Sequence, residues 1–375
     1  MAETGLLVIA DLTGYTAYLA NGEIEHAPTI AGDLLETIVG RLEPPFRLTK
    51  LEGDAAFLYA EDGRADPALL VDALEAAYLA FRRRLRSIEA ATTCTCKACG
   101  LAPRLDLKLL VHHGSFVRTV IAGREELAGS SVILVHRLLK GTGAAASRSH
   151  GFALFTEEAV KALGLDPVVL ALVEEAETFE HLGDVRTYAL DLEQRWHSAS
   201  RRRQLAGGTQ PVLNLTVDLE TEPGEAWAYL TSPVLRPHWE GPIAIEEALV
   251  GGMRGVGATS QCISGRLAMI EEIVDWQPYE HAGWRLAVPG IGPVEATLDL
   301  ERVDHGTRIR VQWSVASDTV PEPSVIDRAM AERTAALDRL AAIFEAGPTA
   351  MPGFEEADRI SSSRPLTFES LQGSV

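Results

Sequence analysis

The sequence is poor in cysteine and in positive charge. Only 4 of its 375 residues are cysteine, and three of them lie together at Cys94, Cys96 and Cys99. This number and spacing do not make the disulfide framework of a small secreted protein. The formal net charge is -19, which argues against a general binder of nucleic acid or anionic membranes, because such proteins need a basic surface. A nucleotide substrate stays compatible with this charge, since bound divalent cations can neutralise it locally.

Long apolar runs and a phosphate loop are also missing. The N-terminal residues Met-Ala-Glu-Thr-Gly-Leu-Leu have no basic start, and the apolar run that follows is short. We therefore expect neither a signal peptide nor a membrane span, and a cytoplasmic protein. Gly255-x-Gly257 is not a phosphate loop, because no helix is predicted after it and no Gly-Lys-Ser/Thr occurs.

The length and composition predict two domains. Hydrophobic residues make up 46% of the chain, enough for two cores, and 375 residues are too many for one compact core. A polar, basic segment that ends in Gly-Gly marks the linker. We predict a first domain at 1–192, a linker at 193–210, a second domain at 211–346 and a disordered tail at 347–375.

The periodicity of the first half predicts an α+β sandwich, with helices on one face of a largely antiparallel sheet. Its expected strands are 6–10, 46–51, 55–60, 105–112, 115–122, 151–155 and 185–191, and its expected helices are 23–42, 67–89 and 130–140. In the second half, a strand at 212–219 and a short helix at 223–231 precede six further strands and a long amphipathic helix at 322–346. A curved antiparallel sheet wrapped on one long helix encloses an apolar cavity.

Two aspartates lie at predicted strand ends. Asp11 ends the first apolar strand, and Asp54 follows Gly53 in the turn of the hairpin. Both residue types are ordinary in turns, so two unrelated turn acids are one interpretation. The other is a shared site for hard cations, because neighbouring carboxylates bind two divalent ions that serve phosphate chemistry.

Four segments resemble the class III nucleotidyl cyclases. "VIADLTGYT" and "KLEGDAAF" are similar to the two metal-binding segments of that family, and "LKLLVHHGSFVRTVIAG" and "ELAGSSVILVHRL" follow in the family's order. The resemblance covers residues 5–192. It implies a ferredoxin-like cyclase sandwich and a homodimer whose sites lie between the subunits.

The resemblance also implies residue roles for the conversion of ATP to cyclic AMP. Asp11 and Asp54 would hold two Mg or Mn ions on the triphosphate, near the backbone of Thr13, Gly14 and Gly53. Lys50 would donate to the purine ring, and Glu126 would accept from the adenine amino group. Arg137 would neutralise the transferring phosphate.

One position departs from the family pattern. The family's transition-state asparagine falls at Ile133, which cannot donate a hydrogen bond. Losing one such donor typically costs about 10²–10³ in rate. His136 is one helical step away and could substitute, although a structural histidine is the commoner reading. A catalytically degenerate nucleotide-binding module is therefore the alternative to an active cyclase.

The Cys-x-Cys-x-x-Cys segment allows three interpretations. Cys94, Cys96 and Cys99 could bind zinc, remain as free or redox-active thiols, or simply pack. His112 and His113 are the candidates for a fourth zinc ligand. The remaining cysteine, Cys262, is expected in the core of a strand.

The second half resembles the START-like helix-grip superfamily, which includes polyketide cyclases and lipid-transfer proteins. "PGEAWAYLTSPVLRPHWEG" and the Glu-x-x-x-x-Trp-x-Pro segment from Glu271 carry the likeness, which covers residues 211–346. It implies a hydrophobic small-molecule ligand, and it defines the fold more than an activity. The candidate cavity residues are Trp239, Trp276, Trp284 and Trp313, each of which is more often plain core, and the polar residues His238, Glu271 and Arg285.

The sequence leaves three hypotheses about function. The first is a homodimeric, ATP-using cyclase that a hydrophobic ligand regulates through the second half. The second is the degenerate nucleotide-binding module, which Ile133 favours. The third is an enzyme that acts in the helix-grip half, and the lack of a convincing acid–base cluster there weakens it.

Overall fold

The computed structural model describes residues 2–21, 26–91, 97–140, 150–201, 209–264, 267–316 and 321–345. The predicted tail therefore lies outside the described residues. The elements of the first half are β1 (Ala2–Thr13), α1 (Tyr15–Asn21), α2 (Ala27–Leu42), β2 (Arg47–Glu52), β3 (Ala55–Glu61), α3 (Pro67–Ala91), α4 (Lys97–Leu101), β4 (Asp106–Ile121), β5 (Arg124–Ala128), α5 (Ser130–Leu139), β6 (Phe152–Thr156), α6 (Glu157–Ala162), β7 (Val173–Phe179), β8 (Gly183–Asp191) and α7 (Leu192–Arg201).

The second half contains β9 (Thr209–Leu219), α8 (Pro223–Thr231), α9 (Pro237–Glu240), β10 (Ala244–Ala248), β11 (Thr259–Ser264), β12 (Leu267–Gln277), β13 (His281–Val288), β14 (Gly292–Val303), β15 (Gly306–Ala316) and α10 (Pro323–Glu345). None of the helices in the described ranges is long and apolar enough to cross a membrane.

The first sheet has the strand order β2-β3-β1-β4-β6-β8-β7, with β5 paired to β4. All neighbours are antiparallel except β4 and β6. β1 lies inside this sheet and is buried on both faces, which is why it reads as a continuous apolar run. Its residues Leu6 and Val8 share a core with α2 and α3. Leu7 and Ile9 share a second core with Val135 of α5.

These two cores confirm the α+β class and correct one expectation. Helices cover both faces of the first sheet, because α5 lies on the face opposite α3. The expected turn at Gly114 is also wrong, since β4 runs through it to Ile121. A Cβ on Gly114 would lie 2.2 Å from the Ser131 hydroxyl oxygen, so this glycine allows a close approach of α5.

The second sheet is wholly antiparallel, in the order β10-β11-β12-β13-β14-β15-β9. α10 packs on it through Ala336, Leu337 and Leu340, which are buried. This is the expected arrangement of a curved sheet on one long helix. The first part of the predicted linker is helical: α7 occupies 192–201, and its Trp196 is buried under the guanidinium of Arg86.

α3 lies between the two halves of the chain and packs against both of them. Every residue from 68 to 81 is buried, although the sequence predicted only one apolar face. Asp72 is 1% exposed. Its two carboxylate oxygens accept hydrogen bonds from the indole N–H groups of Trp227 and Trp276, each at 3.0 Å. One apolar cluster therefore runs from the first half into the second.

Charged side chains surround this contact. Asp66, at the start of α3, accepts a 2.6 Å hydrogen bond from Arg254 Nη2. Arg83, further along the helix, pairs with Glu280. Arg254 is 2% exposed, so this ion pair is desolvated.

The buried Asp72 carboxyl predicts a pH-dependent stability. Burial raises its pKa to about 7, and Glu75 adds to the shift, while Arg254 and the two indole N–H groups oppose it. Because the folded protein binds this proton more tightly than the unfolded chain, the stabilising contribution is present below about pH 4 and is lost as the pH rises to about 7.

We therefore expect the wild type to lose stability against Asp72→Asn between about pH 4 and pH 7, by on the order of 1 kcal/mol per pH unit. Urea unfolding across this range measures the difference. Asp327→Asn, which removes an exposed carboxylate on α10, is the control. A wild-type-minus-Asp72→Asn difference that stays constant with pH would contradict the expectation.

Candidate functional site

The two predicted aspartates lie at adjoining strand ends. Asp11 pairs with Ala55 across β1 and β3, and the Leu12 N–H donates to the Asp54 carbonyl oxygen at 3.1 Å. Gly53, with φ of 72°, forms the turn that carries Asp54 back towards β1. The sheet thus brings together two acids that are distant in the sequence.

Lys108 is a site residue that the motifs did not point to. It lies opposite Asp11 in the β1–β4 register, and its Nζ is 3.0 Å from Asp11 Oδ2. Burial raises the pKa of Asp11, the Lys108 ammonium lowers it, and the Asp54 carboxylate raises it again. The signal in the sequence is a single lysine inside the apolar strand "LKLLV".

The donor set at this corner consists of two carboxylates and one ammonium. Asp11 is 8% exposed, so its charge needs a partner, and Lys108 already supplies one positive charge there. Carboxylate oxygens are the ligands that Mg²⁺ and Mn²⁺ prefer. Thr13 and Gly14 follow at the exposed end of β1, where Gly14 has φ of 88°.

The predicted purine-reading pair is also brought together. Lys50 Nζ lies 3.0 Å from Glu126 Oε2, and the two residues come from β2 and β5. The hydrogen bond to Glu126 is the main cause of a raised pKa for Lys50. Lys50 also lies 3.2 Å from Glu52 Oε1. An ammonium beside two carboxylates offers a donor and acceptors along one edge, as purine recognition requires.

The structure gives both ring nitrogens of His136, the candidate replacement for the asparagine, a partner within the chain. Its Nε2 is 3.0 Å from Glu52 Oε2, and its Nδ1 is 2.8 Å from the Val132 carbonyl oxygen. The ring also contacts Phe57 edge-on, with centroids 4.9 Å apart. Both ring nitrogens are therefore engaged, and His136 connects α5 to the Lys50 cluster through Glu52.

Ile133 and Arg137 lie on the outer side of α5. They are four residues apart, so they share one helical face. Ile133 is 53% exposed and Arg137 is also exposed. The transition-state positions implied by the resemblance are thus accessible from outside the chain.

The second half contains a narrow cleft of about 70 Å³ under α10. Its lining combines aromatic, aliphatic and charged residues: Leu230, Arg236, Trp239, Glu240, Glu271, Trp284, Leu286, Ala296, Thr297, Leu298, Val311, Trp313 and Arg333. Four of the candidate cavity residues named from the sequence, Trp239, Glu271, Trp284 and Trp313, are in this lining.

Three expected cavity residues lie outside this lining, and the exposed His238 is one of them. Trp276 does not line the cleft, because its indole N–H bonds to Asp72 of α3. Arg285 does not line it either, because its β13 position points outwards and pairs with Glu272 at 3.4 Å. Period-two alternation explains the position of Arg285, since it follows the cleft-lining Trp284 directly and so faces the opposite side of the sheet.

The charged groups of the cleft neutralise one another. Arg236, which is 8% exposed, donates to Glu271 at 2.8 and 3.1 Å and to Glu240 at 2.8 Å. Arg333 lies 3.8 Å from Glu240 and covers the Trp313 ring at 5.3 Å. Two arginines face two glutamates, so the lining carries no net charge.

A histidine that the sequence did not indicate lies near the cysteine segment. Cys94 and Cys96 lie outside the described residues, but Cys99 Sγ is 3.9 Å from His26 Nδ1. Two ligands of one tetrahedral zinc, with bonds of about 2.3 and 2.1 Å, lie about 3.6 Å apart. His112 instead contacts Thr156 at 2.9 Å. His113 instead contacts Asp62 at 3.0 Å.

We therefore expect about one zinc per purified chain. Metal analysis should show that Cys99→Ser and His26→Ala lose this zinc, because each removes a ligand. Cys262→Ser, which changes a buried cysteine away from the segment, should keep it. A wild type that takes up no zinc even on titration would leave the thiol and packing interpretations.

Comparison with known proteins gives two family matches. Residues 31–146 match a family described as a protein of unknown function (DUF2652), and residues 212–345 match the family described as polyketide cyclase / dehydrase and lipid transport. The expected START-like second half is thereby confirmed.

One curated relative is the uncharacterized protein Rv2561/Rv2562 of Mycobacterium tuberculosis. It is 34% identical over 160 residues, which are 42% of this chain and 72% of the relative. The chain belongs to the same family as this mycobacterial protein.

Solved structures similar to the chain include cyclases and a further protein. The guanylyl cyclase Cya2 is 14% identical with a TM-score of 0.37, covering 50% of this chain and 92% of that one. The adenylyl cyclase CyaB from P. aeruginosa is 15% identical with a TM-score of 0.37, covering 55% and 98%. The Aha1 dimer from Colwellia psychrerythraea is 16% identical with a TM-score of 0.31, covering 36% and 98%.

Proposed function

We propose that the first half is a nucleotidyl cyclase module that converts ATP to cyclic AMP and pyrophosphate, and that a hydrophobic ligand in the second half regulates it. The observation that carries this proposal is the meeting of Asp11 and Asp54 at one corner of the sheet. In the reaction, the 3′-oxygen bonds to the α-phosphorus, the bond to pyrophosphate breaks, and the hydroxyl proton is released.

In the proposed site, Asp11 and Asp54 hold two Mg or Mn ions. Such ions, when bound, lower the pKa of the 3′-hydroxyl and neutralise charge on the leaving group. The Lys108 ammonium opposes the rise that burial causes in the pKa of Asp11, and so favours the ionised form that acts as a ligand.

The purine is held by Lys50 and Glu126 in this proposal. Lys50 donates to a ring nitrogen and Glu126 accepts from the exocyclic amine, which favours ATP over GTP. Their 3.0 Å contact supports a shared role, because it sets a donor and an acceptor side by side. Arg137 neutralises charge on the phosphate oxygens.

A homodimer is the form that this proposal requires. Arg137 is exposed on α5, so it can serve a site shared with a second copy of the chain. Exposed apolar residues of the same half support an interface: Val120 and Ile121, at the tip of the β4–β5 hairpin, are 71% and 60% exposed.

The second candidate function is nucleotide binding without turnover. Ile133 favours it, because an isoleucine stands where the resemblance expects a hydrogen-bond donor. Such a module would act through conformation or through a partner rather than through a product.

Incubation of the full chain with Mn²⁺ and ATP or GTP, followed by chromatography, separates the candidates. We expect cyclic AMP, formed faster than cyclic GMP. Metal-dependent nucleotide binding without cyclic product would favour the binding module. No binding of either nucleotide would reject both.

A further inference from the structure

The cleft in the second half is too small for an organic ligand of ordinary size. Its volume of about 70 Å³ is less than the roughly 150 Å³ of a cavity that holds benzene. Typical ligand pockets measure about 300–1,000 Å³. A ligand of about the size of benzene or larger must therefore displace side chains that line the cleft.

One of those side chains, Trp284, connects the cleft to residues outside it. Trp284 lines it, and its ring meets Trp276 edge-on, with centroids 6.2 Å apart and planes at 87°. Trp276 in turn meets Trp227 at 4.8 Å. Close-packed interiors transmit such displacements, because neighbouring rings leave no free volume to absorb them.

The row of rings formed by Trp284, Trp276 and Trp227 ends at α3. Trp227 and Trp276 each donate an indole N–H to a different oxygen of Asp72. This carboxylate is 1% exposed, so losing either donor would leave a buried acceptor without its partner. Movement of Trp276 therefore either carries α3 with it or breaks a costly contact.

α3 reaches the candidate nucleotide site through β1. Leu74 and Phe81 of α3 lie in one core with Val8 and Ala10 of β1. The next residue of that strand is Asp11. The helix that receives the indole contact thus supports the strand that presents the first metal-binding acid.

We propose that ligand entry into the cleft is transmitted to the nucleotide-binding half by this indole–carboxylate contact, with Trp284 and Trp276 moving against Asp72 on α3. The inference rests on the proposed role of the second half as a ligand-binding regulator. The ligand that fits is uncharged and aromatic, because the cleft has three tryptophan walls and no net charge.

Hydrogen exchange of the full chain, followed by mass spectrometry, tests the route without nucleotide. Trp284→Leu is expected to speed exchange of the amides in 69–77 by about tenfold, since it removes the ring that supports Trp276. Trp276→Phe keeps a ring but loses the N–H, and it should have a similar effect. Trp313→Leu is the matched control, because Trp313 lines the same cleft but lies outside the described apolar cluster that contains Trp276 and α3.

A second hydrogen-exchange experiment uses Nile red, an uncharged aromatic dye, as the test ligand. At saturation it should change exchange in 69–77 of the wild type, and Trp276→Phe should abolish that change. The proposal is overturned if the dye does not bind or binds without effect on α3. Equal effects of Trp284→Leu and Trp313→Leu would also overturn it.

These readouts are independent of turnover. A wild type that forms no cyclic product rejects the proposed cyclase activity and leaves the exchange result unaffected. An active cyclase whose α3 does not respond rejects only the coupling.

Discussion

Replacing Ile133 with asparagine is expected to increase the rate of cyclic product formation by about 10²–10³, the usual contribution of one donor that stabilises a transition state. Ile133 is exposed on the same face of α5 as Arg137, four residues away. An asparagine amide there can donate to a charge-bearing oxygen beside the guanidinium. No repacking is needed, because the side chain is already half outside the core.

The size of this gain separates the two candidate functions. Ile133→Leu is the control for the change of shape, and it should leave the rate near that of the wild type. An Ile133→Asn variant that lacks Asp54 should show no gain, because the added donor has no reaction to assist. If Ile133→Asn and Ile133→Leu have equal rates, the alignment of this position with the family's asparagine is wrong.

Replacing Asp54 with alanine should reduce cyclic product by at least about 10³. A metal ion contributes several kcal/mol of charge stabilisation to such a reaction, and each 1.4 kcal/mol is about tenfold in rate. Asp54 is half-buried in the β2–β3 turn, so the variant should fold. Mn²⁺ binding, measured by calorimetry in the presence of a non-hydrolysable ATP analogue, should weaken in parallel.

Asp62→Ala is a matched control for that variant. Asp62 lies beyond the opposite end of β3, where its backbone N–H bonds to the Thr4 carbonyl oxygen and its carboxylate contacts His113. The Asp62→Ala variant therefore removes one acid from the same pair of strands, but at the end that is far from Asp11 and Asp54. Equal losses in Asp54→Ala and Asp62→Ala would mean that net charge, rather than a metal site, controls the activity.

The aspartate corner could be predicted because its signals are local. An apolar run that stops at Asp11 and a Gly53-containing turn that presents Asp54 each define a strand end, and the resemblance joined them into one site. The contact between Lys50 and Glu126 spans 76 residues, so no periodicity contains it. It came from the family likeness, and the structure confirms only that the two side chains meet.

Asp72 shows what sequence patterns miss. An acid within a helix reads as a solvent-facing residue, yet here the helix is buried on every side. Its partners, Trp227 and Trp276, lie 155 and 204 residues further along the chain. Lys108 was missed for a related reason, because only the pairing of β4 with β1 places it beside Asp11.

The burial of α3 has a practical consequence for cutting the chain. If the protein were divided near residue 205, the first piece would expose an apolar helix surface together with an unpaired carboxylate. The second piece would expose Trp227 and Trp276 with their N–H groups bare. Each fragment should aggregate on its own, and co-expression of the two should restore a soluble complex.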